Sequence, residues 1–315
     1  MDSLMAVELR NQLQKQLGVD VPISQLMDEA NISNLEEAIS QQLEQSLGSI
    51  GSSIDWPTIA PAPEARNVPF PLNEIQQAYW LGRNALFELG NVTTHVYVEI
   101  DCHGLDLSRL NQAWQRLIDH HPMLKAIILS DGTQQILVEV PPYEIALTDL
   151  SAEDAASQVQ QLSRIRDELS HQILPANQWP LFELRATKLG AEQTRLHLSF
   201  DLLIADAASL LMLVQQWMHL YHHPDQALSP LSLSFRDYVL AEQAIHASEW
   251  YQQAERYWFA RLDSLPAAPE LPLALHPSQI QRPRFRRRSY RLAPDHWRAL
   301  QARGQQAGLT PLEFC

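Results

Sequence analysis

Apolar and polar positions alternate strictly between Thr194 and Leu202. Leu196, Leu198, Phe200 and Leu202 fall on one side, and Arg195, His197, Ser199 and Asp201 on the other. That period of two predicts a strand. It gives way at once to helical spacing, with Leu210, Leu213, Val214, Trp217, Leu220 and Tyr221 on one stripe. The chain therefore passes from strand to amphipathic helix through the nonapeptide DLLIADAAS, residues 201–209. Asp201 closes the strand on its polar face, and Asp206 opens the helix. Asp206 suits a helix N-cap and Ser209 the N3 position, so capping alone accounts for both. Carboxylates at such a junction also suit the orientation of a substrate or the acceptance of a proton.

The same two periods recur along the chain. Helices are predicted over Ser3–Leu17, Asn73–Asn84, Leu107–His121, Ser151–Ile173, 206–222, 234–247, 248–263 and Asp295–Ala307. Strands are predicted over Thr94–Cys102, Leu124–Leu129, Gln134–Val140, Phe182–Leu189, Thr194–Leu202 and Phe285–Leu292, with turn residues Ser130-Asp131-Gly132 between the second and third. Residues 47–69 are first rich in glycine and serine, then in proline and alanine, and read as a linker. Three regions follow: a helical segment 1–46, the linker 47–69, and a mixed segment 70–315. The last is expected to be an α/β or α+β two-layer domain.

Charge narrows the function classes. The 315 residues carry 23 Lys and Arg against 37 Asp and Glu, a net of −14, which argues against nucleic acid as a partner. Residues 1–46 are especially acidic, with eight acids against Arg10 and Lys15. Cys102 and Cys315, the two cysteines, offer neither a disulfide framework nor zinc-ligand spacing. No apolar run approaches the ~20 residues that span a bilayer, and no signal peptide opens the chain. A cytoplasmic setting without membrane contact is expected. Met1 opens directly into a helical pattern, and the helix started by Thr310 and Pro311 stops at Cys315, so the chain is read as part of something longer.

Several other features carry alternatives. His120–His121 and His222–His223 sit at helix ends, where cationic histidine suits the dipole, and no metal site is expected from either pair. Ser209 with His197 lacks a nucleophile elbow and a third member, which disfavours covalent serine catalysis. Six arginines in Gln281–Arg291 fit a charged edge strand or a docking surface for an acidic partner. Tyr79, Trp80 and Arg83 read as packing residues.

Two resemblances follow from particular motifs. The opening DSLMAVELRNQLQKQLGVDVP resembles the second half of a phosphopantetheine carrier domain. That resemblance implies a partial all-α bundle in which Ser3 bears 4'-phosphopantetheine, installed by a phosphopantetheinyl transferase. A phosphodiester there would sit at a helix N-terminus, where free N–H groups favour an anion.

From Phe70 the chain resembles the heterocyclization (Cy) variant of the condensation domain of nonribosomal peptide synthetases. The resemblance rests on FPLNEIQQAYWLGR (70–83), HHPMLKAIILSDGTQ (120–134), the aspartate segment, LPAAPELPL (265–273) and LTP (309–311), in that order. It implies the N-terminal lobe of a chloramphenicol-acetyltransferase-like fold that works with carrier domains of the same or adjacent modules. Ordinary condensation domains carry HHxxxDG here; aligned on Asp206, the two histidines fall on Asp201 and Leu202. The implied reaction joins an acyl thioester to carrier-bound Cys, Ser or Thr, then closes a thiazoline or oxazoline ring. The implied site is Asp201, Asp206 and Ser209, with Asp206 expected to be the more structural aspartate, through capping or an ion pair, and Asp201 expected to face a channel beside His197 and Ser199. The alternatives are an ordinary condensation or acyltransferase domain, which would want a histidine at position 202, and a carrier-interaction piece without catalysis. Since only one lobe is expected here, the isolated chain is expected not to form rings.

Overall fold

The computed structural model describes residues 9–13, 21, 58–83, 87, 89–267, 272–280, 283–286, 288, 290–307 and 309. The chain forms two compact units, residues 1–54 with 286–315, and residues 55–285. In the first, residues 9–13 are helical and Val21 is fully buried. A helix over Pro294–Gln306 also belongs to this unit.

The second unit is mixed α/β, as the alternating periods predict. Its strands are β1 (Phe70–Pro71), β2 (His95–His103), β3 (Ala126–Ile128), β4 (Thr133–Ile136), β5 (Ala146–Asp149), β6 (Phe182–Lys188) and β7 (Gln193–Asp201). Its helices are α1 (Glu74–Gly82), α2 (Leu107–His120), α3 (Ala155–Leu169), α4 (Ala207–His222), α5 (Phe235–Ile245) and α6 (Glu249–Phe259). One sheet has the order β1-β4-β3, the other β2-β7-β6-β5. The expected hairpin of β6 and β7 is present and antiparallel, with Phe182 opposite Phe200. On its far side β7 pairs antiparallel with β2, and β5 joins β6 in parallel.

The alternation along β7 divides the larger sheet into two unlike faces. Leu196, Leu198 and Phe200, with Phe182, Leu184 and Ala186 of β6, meet the apolar stripes of α2 and α4. Trp114 of α2 lies at the centre, its ring 4.9 Å from Trp217, 5.3 Å from Phe182 and 5.8 Å from Phe200. Trp217 of α4 donates its indole N–H to the carbonyl of Leu110 at 3.0 Å, which fixes how α4 lies on α2. Each of α1 to α6 opens on Asn, Asp or Ser whose side chain accepts a backbone N–H of the first turn.

The polar face of β7 is covered, not open. Helix α3 lies over it through Ile165 and Leu169, which pack with Tyr97 of β2. His197 is sealed beneath, its ring between the Tyr97 hydroxyl at 2.8 Å and the Thr187 hydroxyl at 3.0 Å. Ser199 accepts from the amide of Gln172 at 2.7 Å. Along the rim, Arg166 of α3 grips Glu99 with bonds of 2.6 and 2.7 Å, and Arg195 bonds Asp101 at 2.7 and 3.0 Å. The cleft expected beside His197 and Ser199 is filled by α3 and the segment after it.

Two expected elements changed, and one unexpected strand formed. The long helix expected over Ser151–Ile173 is trimmed at both ends, since Asp154 caps it and Ser170 closes it. The strand expected over Phe285–Leu292 does not form among its described residues. Strand β5 was not expected, because its four residues are all exposed and lack the alternation that marks a half-buried strand. No helix among the described residues is long and apolar enough to cross a membrane.

Burial pushes the imidazole of His197 down to about 4, with Arg195, Arg166 and Arg185 adding to the effect and Glu99 opposing it. The unfolded chain binds this proton near pH 6.5, whereas the folded protein resists it until about 4. The stability concerned is complete above pH 6.5 and is lost as pH falls toward 4, by roughly 3 kcal/mol in all. Urea denaturation at several pH values should show this loss. His197→Gln should shrink it by comparison with wild type, the shared carboxylate titrations cancelling in the difference.

Candidate active site

The junction between β7 and α4 is held by residues from three of the motif segments. Gln76 of α1 is buried and donates to the carbonyl of Leu203 at 2.7 Å. It also exchanges two amide hydrogen bonds with the fully buried Gln134 of β4, at 3.0 and 2.8 Å. Gln134 donates further to the carbonyl of Pro71 at 3.0 Å. The opening motif thus grasps the backbone of the aspartate segment directly, and the second motif supports it through Gln76. A second contact joins the same two motifs. Gly132 adopts φ +81°, and a Cβ there would meet the ring of Trp80 at 3.3 Å, so the turn needs glycine on both counts.

Asp201 ends β7 with 2% exposure. One carboxylate oxygen forms an ion pair with Arg83, and the other accepts the N–H of Leu203 at 3.0 Å. Arg83 also donates to the carbonyl of Leu174 at 3.0 Å, and its Nε is buried without a hydrogen-bond partner. Burial pushes the Asp201 carboxyl up, while Arg83 and the Leu203 N–H pull it back. This carboxylate faces a guanidinium in the interior, not a channel. The expected orientation is corrected: its strand position is polar, but that face is covered.

Asp206 is exposed and caps α4, accepting the N–H of Ser209 at 2.8 Å. The Ser209 hydroxyl and N–H hold the Asp206 carboxyl below its ordinary value, so it stays ionised well into the acidic range. Asp206 and Ser209 also border a cavity of about 780 Å³, with Leu202 on the same wall. Phe70, Met123, Leu203, Ile204, Met212 and Phe235 make its sides largely apolar. Gln76, His121 and Arg236 add polar groups, and the Nε of Arg236 is buried without a partner. His121 bonds the side chain of Gln216 at 2.6 Å, and burial pushes its imidazole down. Among the described residues, no group of three or more His, Cys, Asp or Glu is placed to hold a metal ion. Ser3 lies outside the described residues.

Of the expected residues, Asp206 and Ser209 come together at the cavity, and Asp201 lies behind them in the core. Gln76, Gln134 and the partner of Asp201 were missed. A signal existed for two of them: Gln76 and Arg83 are seven apart on one helix, which puts both near one face.

Residues 68–310 match the family model described as condensation domain, and residues 1–39 the one described as phosphopantetheine attachment site. The chain belongs to the condensation-domain family.

This condensation domain follows a carrier segment, the arrangement of a nonribosomal peptide synthetase. It is similar to pyochelin synthetase PchF of Pseudomonas aeruginosa, 36% identical over 249 residues, covering 79% of this chain and 14% of that protein. It is also similar to phenyloxazoline synthase MbtB of Mycobacterium tuberculosis, 39% identical over 256 residues, covering 77% and 17%. Among solved structures, the cyclization-docking bidomain of the EpoB synthetase from Sorangium cellulosum is 35% identical with a TM-score of 0.72, covering 97% of this chain and 62% of that one. The chain therefore spans less than a fifth of these two synthetases. The chloramphenicol-acetyltransferase-like fold expected of the condensation domain agrees with this structural likeness.

The two aspartates should respond differently to substitution. Asp201→Leu strands the Arg83 guanidinium in the interior and should cost about 3–5 kcal/mol. Asp206→Ala removes a cap and should cost about 0.5–2 kcal/mol. The double variant Arg83→Leu/Asp201→Leu should be more stable than Asp201→Leu alone, because no unpaired charge remains buried. Chemical denaturation of the four proteins checks the order.

Proposed function

We propose that this condensation domain is of the heterocyclizing kind. It joins an acyl thioester to a carrier-bound Cys, Ser or Thr and then closes a thiazoline or oxazoline ring. The observation that carries this reading is the pair Asp201-Leu202, standing where an ordinary condensation domain aligns its two histidines, with Asp206 five residues on. Leucine cannot take a proton, so the general-base chemistry of a histidine at that position is not available. The names of similar proteins support the reading: one is a cyclization bidomain and another a phenyloxazoline synthase.

In the first stage the acceptor amine attacks the thioester carbonyl, the carrier thiol leaves, and an amide forms. In the second, the side-chain thiol or hydroxyl attacks that amide carbonyl. The proton of that thiol or hydroxyl and the amide N–H proton both pass to the former carbonyl oxygen, which departs as water while the ring C=N bond forms. Asp206 is the carboxylate that can reach groups in the cavity. Its low proton affinity suits it to accept N–H hydrogen bonds and to stabilise positive charge on the attacking nitrogen, more than to remove a proton outright. Ser209 holds that carboxylate, and Asp201 with Arg83 holds the loop that presents it. The apolar walls exclude water from the thioester, and two tethered substrates meet at a high effective concentration.

Ser3 is proposed as the attachment point of 4'-phosphopantetheine, from the match of DSL to the carrier motif. The parent synthetase then works in the cytoplasm with a phosphopantetheinyl transferase and with carrier domains as partners.

Asp206→Asn is the informative variant, because asparagine caps as well as aspartate while removing the charge. In the full-length synthetase with loaded carriers, it should keep its melting temperature and lower ring product at least about tenfold. Mass spectrometry separates the uncyclised amide from the ring. A wild-type enzyme that releases only the amide would make this an ordinary condensation domain. Treating the full-length protein with coenzyme A and a phosphopantetheinyl transferase should add the arm to the peptide containing Ser3, and Ser3→Ala should abolish the mass gain.

A further inference from the structure

The C-terminal turn of α4 carries a feature that the adjacent pair His222–His223 conceals. His219 lies four residues before His223, and the backbone N–H of His223 donates to the carbonyl of His219 at 2.8 Å. That bond closes the last turn on His223, the residue that caps the helix with a backbone already outside it, at φ −127° and ψ 70°. Both residues are exposed, and their ring centroids are 5.1 Å apart. Among the described residues, neither ring makes a hydrogen bond or an ion pair.

That separation matches what a shared metal ion requires. An imidazole nitrogen sits about 2.0–2.1 Å from a bound metal and the ring centre roughly 1.2 Å beyond, so two rings meeting at 90–110° have centres about 4.6–5.3 Å apart. The position also favours a cation, since the carbonyl end of the α4 dipole lies at this turn. Two guanidiniums nearby oppose it, but both are engaged. Arg109 donates to the carbonyl of His222 at 3.1 Å, and Arg116 donates to the carbonyls of Pro224 and Gln226. These bonds hold the chain after α4 in place, and solvent screens the charges at an exposed site.

We propose that His219 and His223 form a two-imidazole chelate for a late first-row divalent ion such as Cu²⁺, Ni²⁺ or Zn²⁺, with water completing the coordination shell. Imidazole pairs follow the order in which Cu²⁺ binds most tightly. The site is separate from the cavity, because it lies at the opposite end of α4 from Asp206. It does not depend on the reaction assigned to that cavity.

Titration of the 315-residue chain with Ni²⁺ at about pH 7.5 tests the proposal, with heat of binding as the readout. Wild type should show one site that binds at least about tenfold tighter than in His219→Ala or His223→Ala, the loss expected when a second tethered ligand is removed. His222→Ala should bind as wild type does. Binding should weaken as pH is lowered, because protons compete for the ring nitrogens. As a second measurement, Ni²⁺ should raise the melting temperature of wild type and of His222→Ala but not of the other two variants. Equal affinity in His219→Ala and wild type would overturn the assignment, as would a wild-type chain that binds no tighter than a single histidine.

Discussion

The ion pair of Arg83 with Asp201 is the constraint on which the rest of the site depends. It joins the end of α1 to the end of β7, residues 118 apart in sequence, where the carboxylate is buried and the guanidinium has little contact with water. A buried pair of this kind adds little to net stability, because desolvation offsets the attraction. What it fixes is geometry. With Asp201 tied to Arg83 and to the N–H of Leu203, the chain leaves the strand in one direction and delivers Asp206 to the start of α4. The two carboxylates are close in sequence but unlike in environment, one enclosed against a cation and the other open to the cavity.

That contrast shapes the chemistry available. An exposed carboxylate steadied by a helix N-terminus is a permanent negative charge at the edge of an apolar chamber. Its value lies in attracting and aligning hydrogen-bond donors on a substrate. The enclosed carboxylate has no such access. A sequence motif written as two aspartates thus describes two different devices, one for support and one for contact.

The strand–helix junction, the capping role of Asp206 with Ser209, and the mixed α/β class were legible because each rests on local pattern. Periods of 2 and 3.6 are set by backbone geometry, and a cap needs only its own first turn. The fate of the polar face of β7 was not legible. Alternation says that His197, Ser199 and Asp201 share a side, but not that α3 will cover it. The partner of Asp201 and the reciprocal amides of Gln76 and Gln134 are likewise long-range facts. Strand β5 escaped because parallel pairing at an exposed edge leaves no alternating signature.

The paired amides have a consequence for anyone who recombines such synthetases. Gln76 and Gln134 each donate to the other; Gln76 also donates to the carbonyl of Leu203 in the aspartate segment, and Gln134 to that of Pro71 in the opening motif. A crossover that takes residues 70–83 from one parent and 120–134 or 201–209 from another would ask unrelated side chains to satisfy the same buried donors and acceptors. Boundaries drawn in the linker before residue 70, rather than between these segments, transplant the bridge whole.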